Sequence, residues 1–370
     1  MAVGLTHSGP NVYSSDEPAR ELLVGTREGV AVLERAGLGA PWRVAHRALT
    51  DRFISAIVVE SESGTIFAGA FHGGLHASTD GGRTWEPREN GLTILDVFSM
   101  AARRVNGRVR VFAGTEPANL FCSDDLGGHW THLPALRNVP TVDQWWFPPP
   151  PHVAHTKFIT FDPRDENVIY ACIEQGALLK SDDQGQTWRE LNTLGFYNDA
   201  TRAVENFYDV HKALIDPRDP RKLFVSGGAG LYVSTDGGTH WERRMAAGWA
   251  SDVYPDALVM HPRQPDVMFV AAADHNPATW RDSHHAGGKI YRSRDAGVTW
   301  ERLLGGLPED TVHEFGALTL EDWGGGVSLY AATTGGEVYA SDDGGDTWTC
   351  TATDLAPISK RGHEALVLAG

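Results

Sequence analysis

The chain has 370 residues, among them 41 glycines, 20 prolines, 12 tryptophans and 3 cysteines. Hydrophobic residues make up 41% of it, which excludes a disordered chain and favours a globular fold rich in turns. The net charge of −16 makes the chain a poor binder of nucleic acids and anionic membranes. The cysteines form no C-x-x-C pair, which argues against a disulfide framework and a thiolate zinc site.

The first residues contain neither a basic start nor an apolar stretch, so the sequence predicts no signal peptide. No window of about 18 apolar residues occurs, and we therefore expect no membrane span. These features predict a cytoplasmic protein. Residues 1–19 are expected to form an N-terminal tail, and residues 20–370 a single domain.

One octapeptide recurs along the chain and sets its organisation. Its first copy is STDGGRTW, which ends at Trp85, and further copies end at Trp130, Trp188, Trp241, Trp300 and Trp348. A degenerate seventh copy ends at Trp42. Successive tryptophans are 43 to 59 residues apart, a period typical of the blades of a β-propeller.

Each octapeptide lies between two short strand patterns, which predicts a hairpin turn. The aspartate can accept backbone N–H bonds across the turn, glycine tolerates a positive φ, and the tryptophan supplies a large apolar surface for packing. The predicted structural aspartates are Asp80, Asp125, Asp183, Asp236, Asp295 and Asp343.

The pattern S-x-D-x-G-x-[TH]-W resembles the Asp-box, or BNR, repeat of sialidases, xyloglucanases, sortilin-type receptors and photosystem II assembly factors. The resemblance implies a β-propeller but leaves the function open, because this repeat is a structural turn in proteins of unrelated activity. A true sialidase is not expected, since the Arg-Ile-Pro motif of that family is absent from the sequence.

The fold predicted from these repeats is all-β, a seven-bladed propeller with four strands in each blade. The N-terminal segment has room for only three strands of its blade. The last apolar segment, His363–Leu368 (HEALVL), resembles a lone strand, so we expect the C-terminal strand to complete the N-terminal blade and close the ring.

The longest loops are predicted on the face opposite the octapeptide turns, at residues 134–156, 192–210 and 274–288. Long loops on a rigid scaffold commonly carry function. Aromatic and histidine residues of this face suggest a substrate pocket, although the same aromatics could simply pack the loops. The candidate pocket residues are Trp145, Trp146, Trp249, Trp280, His152, His275 and Tyr254.

Histidines occur where the chain enters several inner strands, and inner strands line the channel of a propeller. Imidazoles converging there would suit Fe, Zn, Cu or Mn, although a single histidine of this kind is more often a hydrogen-bonded strand-end residue. The candidate metal ligands are His72, His155, His211, His313 and His363. Glu116 and Glu174 are the candidate catalytic residues, as supports for the ligands or as a general base.

The leading functional hypothesis is a metal-dependent lyase, oxygenase or hydrolase that acts on a small organic or aromatic substrate. Nothing in the sequence indicates a nucleotide cofactor. One alternative is a glycoside hydrolase, which needs two carboxylates beside a cleft. The carboxylates available for it are Glu116, Glu174, Asp209, Asp256, Glu314 and Glu364. A second alternative is a non-catalytic scaffold similar to the photosystem assembly propellers.

Overall fold

The structure is a computed structural model, and it describes most of the chain. The described residues are 2–191, 196–198, 203–205, 208–244, 253–359 and 362–368, with only the backbone for 196–198, 203–205 and 368. They form a seven-bladed β-propeller, which confirms the predicted fold class. In this part of the chain, no helix is long and apolar enough to cross a membrane.

The strands of each blade run from the channel outwards. Blade 1 comprises Ala2–Leu5, Glu21–Thr26, Gly29–Glu34 and Arg43–Ala48. Blade 2 comprises Phe53–Val59, Ile66–Phe71, Gly74–Ser78 and Glu86–Pro87. Blade 3 comprises Val97–Val105, Arg108–Thr115, Leu120–Ser123 and Thr131–His132. Blade 4 comprises His155–Phe161, Ile169–Glu174, Ala177–Ser181 and Arg189–Glu190.

Blade 5 comprises Val210–Ile215, Leu223–Gly227, Gly230–Ser234 and Glu242–Arg244. Blade 6 comprises Val253–Met260, Met268–Asp274, Lys289–Ser293 and Glu301–Arg302. Blade 7 comprises Phe315–Asp322, Val327–Thr333, Val338–Ser341 and Thr349–Ala352, with Val12–Ser14 added at its inner edge. The remaining elements are a hairpin of Phe196–Asn198 and Ala203–Glu205, the 3-10 turns Pro134–Arg137, Val142–Gln144 and Pro277–Thr279, and the helices Trp280–Ser283 and His363–Leu368.

The octapeptides form the turns between the third and fourth strands, as predicted. In the first copy, the Ser78 hydroxyl donates to Asp80 Oδ1 at 2.8 Å and the Thr84 backbone N–H donates to the same oxygen at 2.9 Å. The corresponding serine and aspartate oxygens lie 2.7–2.9 Å apart in all six copies. Gly82 has a φ of +81°, a conformation that explains why every copy has glycine at this position.

The repeated tryptophans hold adjacent blades together. Trp130 of blade 3 is 1% exposed and lies in the core between blades 2 and 3. Trp42, from the degenerate copy, packs in the same way between blades 7 and 1. Five of the seven repeated tryptophans lie in the core shared with the preceding blade, and Trp85 and Trp188 pack against it. The octapeptide thus supplies both the turn and the contact between blades.

The predicted ring closure by a C-terminal strand is wrong. Segment His363–Leu368 is a helix, in which His363, Glu364 and Val367 are buried on one face. Alanine, leucine and glutamate favour a helix, and the segment packs beside Trp280 rather than along a strand. Blade 1 instead receives its inner strand from Ala2–Leu5, which pairs in parallel with Glu21–Thr26.

The expectation that residues 1–19 form a tail is also corrected. Residues 6–11, which we call the plug segment, bond to inner strands on several sides of the channel. The Ser8 backbone N–H donates to Ser55 O of blade 2 at 3.1 Å. The Asn11 side chain donates to Leu258 O of blade 6 at 2.9 Å. A Cβ on Gly9 would lie 2.6 Å from Ile57 O, so only glycine allows this close approach.

We expect the stabilising contribution of the octapeptide turns to disappear in acid. The backbone N–H and imidazole of His240 lower the pKa of Asp236 to about 2, below the value of about 3.9 for an unfolded aspartate. The contribution is therefore complete above about pH 4 and is lost as the pH falls towards 2. Denaturant unfolding should show that Asp236→Asn differs from the wild type more at about pH 6 than at about pH 2.5. Asp16→Asn, at an exposed loop position, is the control, and a pH-independent effect of Asp236→Asn would contradict this expectation.

Candidate functional site

Six of the inner strands contain a shift in register near the point where they enter the channel. The shift leaves one extra residue on the inner strand, and such bulges redirect a side chain. The extra residues are Ser55, Phe98, Lys157, His211, Asp256 and Gly316. Three consecutive blades thus have equivalent bulge positions, occupied by Lys157, His211 and Asp256. The side chains of Lys157 and His211 both contact Asp256.

The meeting of these side chains produces a buried network of charges. Lys157 is fully buried, and its Nζ donates to Asp256 Oδ1 at 2.6 Å and to Glu174 Oε1 at 3.2 Å. His7 of the plug segment contacts Asp256 Oδ2 through Nε2 at 2.8 Å. Lys212, 1% exposed, donates to the His7 carbonyl at 2.8 Å. Buried charges are tolerated only when they are paired in this way.

A pocket of about 680 Å³ lies next to this network. The pocket is lined by residues from the ends of blades 4, 5 and 6 and by segments 147–150, 276–282 and 362–366. Two of these segments belong to loops predicted to carry function. The side chains facing the pocket include Phe147, Glu174, Asp209, Tyr254, Arg281, Asp282 and His363. The pocket combines apolar and aromatic surface with a few polar groups, as ligand sites commonly do.

Glu174, Asp209 and His211 form a compact cluster at this pocket. One ligand atom from each of the three lies within 4.8 Å of the other two. His211 Nε2 is 3.1 Å from Asp209 Oδ1 and 3.7 Å from Glu174 Oε1. His211 and Glu174 are almost completely buried, whereas the Asp209 side chain is 21% exposed. The two carboxylates therefore lie close together, and both line the pocket.

Glu116, the other predicted catalytic residue, is separated from Glu174 by an imidazole ring. His155 Nε2 is 2.6 Å from Glu174 Oε2, and His155 Nδ1 is 3.2 Å from Glu116 Oε2. Phe98 stacks on the His155 ring, which is fully buried. The His155 ring thus lies between the two glutamates, and of Glu116 and Asp209 only Asp209 lines the pocket together with Glu174.

The five predicted metal ligands are placed differently from one another. Within the described residues, the single group of three candidate ligands is Glu174, Asp209 and His211, so one predicted histidine belongs to it. His72, largely exposed, pairs with Asp96, and His363 pairs with Glu314 at 2.8 Å. His313 lies against Gly335. A bound transition metal stays a prediction that these contacts do not test.

The aromatic residues predicted for the pocket have mixed roles. Tyr254 lines the pocket and its hydroxyl lies 3.0 Å from His211 Nε2. Trp280 is 1% exposed and packs behind Tyr254 and His363. Trp145 donates to Thr141 and packs between blades 3 and 4.

The remaining candidates lie outside the pocket lining or outside the described part of the chain. Trp146 is 52% exposed and stacks on His152, whose Nδ1 lies 3.1 Å from Phe147 O. His275 is exposed at the end of a blade 6 strand. Trp249 falls outside the described residues.

Sequence reasoning missed His7 and gave no role to Asp256 or Lys157 in the leading hypothesis. His7 is hard to recognise from the sequence because its segment carries no octapeptide and resembles a tail. When the sequences of the blades are aligned, Lys157 lies in register with His211. Aligning blade 6 in the same way places Asp256 at the equivalent position, so the sequence alignment identifies all three bulges.

Comparison with known proteins identifies relatives of one enzyme class. No family model matches the chain. The chain is 25% identical over 239 residues to xyloglucanase Xgh74A of Acetivibrio thermocellus, a match that covers 56% of this chain and 26% of the relative. It is 26% identical over 223 residues to a probable oligoxyloglucan-reducing end-specific xyloglucanase of Neosartorya fischeri, which covers 52% of this chain and 25% of the relative. The chain thus spans about a quarter of the length of these relatives.

Solved structures share the fold. An ancestral GH74 enzyme superimposes with a TM-score of 0.59 at 16% identity, over 80% of this chain and 38% of that chain. YCF48 from Cyanidioschyzon merolae superimposes with a TM-score of 0.53 at 14% identity, over 83% of this chain and 88% of that chain. At these identities the likeness shows the β-propeller fold alone.

These comparisons correct the leading functional hypothesis. The prediction of a metal-dependent enzyme acting on a small organic or aromatic substrate is wrong, because the curated sequence relatives are xyloglucanases. The relatives agree better with the glycoside hydrolase alternative.

Proposed function

We propose that the chain is a glycoside hydrolase that cleaves an oligosaccharide derived from a xyloglucan-type glucan. The observation that carries this proposal is the close pair of carboxylates, Glu174 and Asp209, lining one pocket. Glycoside hydrolysis requires two such groups, one to protonate the leaving oxygen and one to attack the sugar or activate water.

The pocket has surfaces suited to a sugar. Phe147, Tyr254 and Pro148–Pro150 offer apolar faces against which the C–H face of a pyranose ring can pack. Arg281 and Asp282 add groups able to bond to hydroxyls. A volume of about 680 Å³ lies within the usual range for small-ligand pockets, about 300–1,000 Å³. We therefore place a short oligosaccharide, rather than a long polymer chain, in this site.

The non-catalytic scaffold remains the competing proposal, and one observation favours it. The match to YCF48 covers most of both chains, whereas the xyloglucanase relatives are about four times longer than the matched region. We prefer the hydrolase because the sequence relatives and the carboxylate pair support it independently of the fold.

The test is a hydrolysis screen with purified protein. Xyloglucan oligosaccharides and aryl β-glycosides of gluco-oligosaccharides are incubated with the wild type, with and without EDTA, and released sugars are measured. We expect hydrolysis of at least one substrate at the same rate in EDTA, because carboxylate catalysis needs no metal. Folded protein that hydrolyses none of them would refute the hydrolase and leave the scaffold, and loss of hydrolysis in EDTA would refute the metal-free mechanism.

A further inference from the structure

Lys157 reaches the pocket only through another residue. Its Nζ donates to Glu174 Oε1 at 3.2 Å, and Glu174 lines the pocket. Lys157 itself is not among the described residues of the pocket lining, and it is 0% exposed. Any influence of Lys157 on a bound sugar must therefore pass through Glu174.

A second contact anchors the Lys157 side chain behind the pocket. Nζ donates to Asp256 Oδ1 at 2.6 Å, a shorter contact than the one with Glu174. Asp256 is itself held, since it is 3% exposed and its Oδ2 lies 2.8 Å from His7 Nε2. A lysine ammonium group carries three hydrogens, so it can donate to both carboxylates at once. The position of Nζ is thus set by Asp256 and is passed on to Glu174.

The Glu174 carboxylate is held from behind at both of its oxygens. Oε1 accepts from Lys157, and Oε2 lies 2.6 Å from His155 Nε2. A carboxylate has about four lone-pair sites, so these two contacts leave others that can face a substrate. Fixing a reacting group in advance favours the reaction, and a misplacement of about 1 Å can lower a rate by about 10²-fold. The arrangement therefore suits a carboxylate that must be in place before the sugar binds.

The charged bulge positions are confined to the blades that form the pocket. Blades 4 and 6 have Lys157 and Asp256 there, whereas blades 2, 3 and 7 have Ser55, Phe98 and Gly316. Replacing a buried ion pair with apolar residues of similar volume is often neutral or stabilising. Stability alone thus gives no reason for this pair, whereas a role in the adjoining pocket does.

We propose that Lys157 is a positioning residue, anchored on Asp256, that fixes the carboxylate of Glu174 for the reaction. This inference rests on the proposed function. It holds whether Glu174 attacks the sugar or activates water, because either task needs a carboxylate oxygen at a fixed place. Lys157 itself touches no reacting atom.

The experiment compares Lys157→Met with the wild type, using the glycoside that the wild type cleaves fastest. Methionine has a similar length but donates no hydrogen bond, so we expect kcat to fall about 10²-fold as the carboxylate loses its fixed position. KM should change less than about threefold, because the groups that bind the sugar are unchanged. A wild-type kcat in the folded variant would overturn the proposal.

Lys212→Met is the matched control. Lys212 is 1% exposed, donates to the His7 carbonyl at 2.8 Å and lies 4.1 Å from the centroid of the Phe158 ring. The substitution removes a buried ammonium group but leaves the hydrogen bond between Lys157 and Glu174 in place, so we expect kcat to change less than about threefold. Equal losses of kcat in the two variants would overturn the specific role of Lys157.

A double-mutant cycle separates positioning from support of the fold. If Lys157 acts through Glu174, Lys157→Met should lower the residual kcat of Glu174→Gln by less than about threefold. A residue that only supports the fold would lower kcat by the same factor in both backgrounds, and that result would overturn the proposal. If Lys157→Met alone does not fold, the same comparisons use Lys157→Met combined with Asp256→Asn, which removes the ion pair as a unit.

A readout without turnover separates this inference from the proposed function. In crystal structures, the Glu174 carboxylate of Lys157→Met should lie about 1 Å or more from its wild-type position. If the wild type hydrolyses no glycoside, the hydrolase fails and the catalytic use of Lys157 fails with it. If the wild type is active and the carboxylate of the variant has not moved, the positioning role fails and the hydrolase stands.

Discussion

Glu174→Gln should lower kcat on every glycoside that the wild type cleaves by about 10³-fold or more, with the propeller still folded. An amide cannot attack the anomeric carbon of the sugar or act as a base. Removal of either role lowers the rate by about two to four orders of magnitude. Steady-state kinetics with an active wild-type reference measures this loss. Because the change also removes a partner of buried Lys157, circular dichroism and thermal unfolding must accompany the kinetics.

Glu116→Gln is the matched comparison, since Glu116 is equally buried and contacts the same His155 from the other ring nitrogen. Glu116 does not line the pocket, and we expect a change in kcat of less than about tenfold. Equal losses in the two variants would indicate that the buried network, rather than Glu174 itself, supports activity. An active Glu174→Gln variant would exclude Glu174 as a catalytic residue.

His7→Ala should lower the free energy of unfolding by about 3 kcal/mol, because it removes a hydrogen bond to a buried carboxylate and truncates a buried side chain. The substitution removes the imidazole from Asp256 Oδ2 and leaves a void in the channel. Urea unfolding followed by tryptophan fluorescence measures the change. His129→Ala, on an exposed turn, should change the unfolding free energy by less than about 0.5 kcal/mol.

Deletion of residues 1–11 should have a larger effect and prevent stable folding. It removes the inner strand of blade 1 and every contact of the plug segment with the channel. A truncated protein with the urea midpoint of the wild type would show that the plug segment contributes nothing to stability.

The octapeptide made most of the fold predictable from the sequence. Within each turn, the serine, aspartate and glycine fix the backbone, and the tryptophan packs against one neighbouring blade. A short local pattern is therefore enough to predict the turn and the contact between blades. The ring closure is mispredicted because HEALVL ends in a short apolar run, which buried strands and helices share, and six residues are too few to separate the two periods.

The site was predictable only in part for a different reason. Histidines at the strand entrances are visible in the sequence, but several groups of the buried network come from different blades. The contact of His211 with Asp209 follows from neighbouring residues, whereas the contacts of Lys157 with Asp256 and of His7 with Asp256 span 99 and 249 residues. Such contacts depend on how the blades align around the channel, which no single repeat specifies.

The plug segment also imposes an order on folding during synthesis. Asp256 leaves the ribosome 249 residues after His7, a delay of about 10–50 s at about 5–20 residues per second. Throughout that time, the strand partners of residues 12–14 in blade 7 do not yet exist. The plug segment, although synthesised early, is therefore among the last to dock. Nascent chains released before blade 6 is complete would expose it to proteases and chaperones.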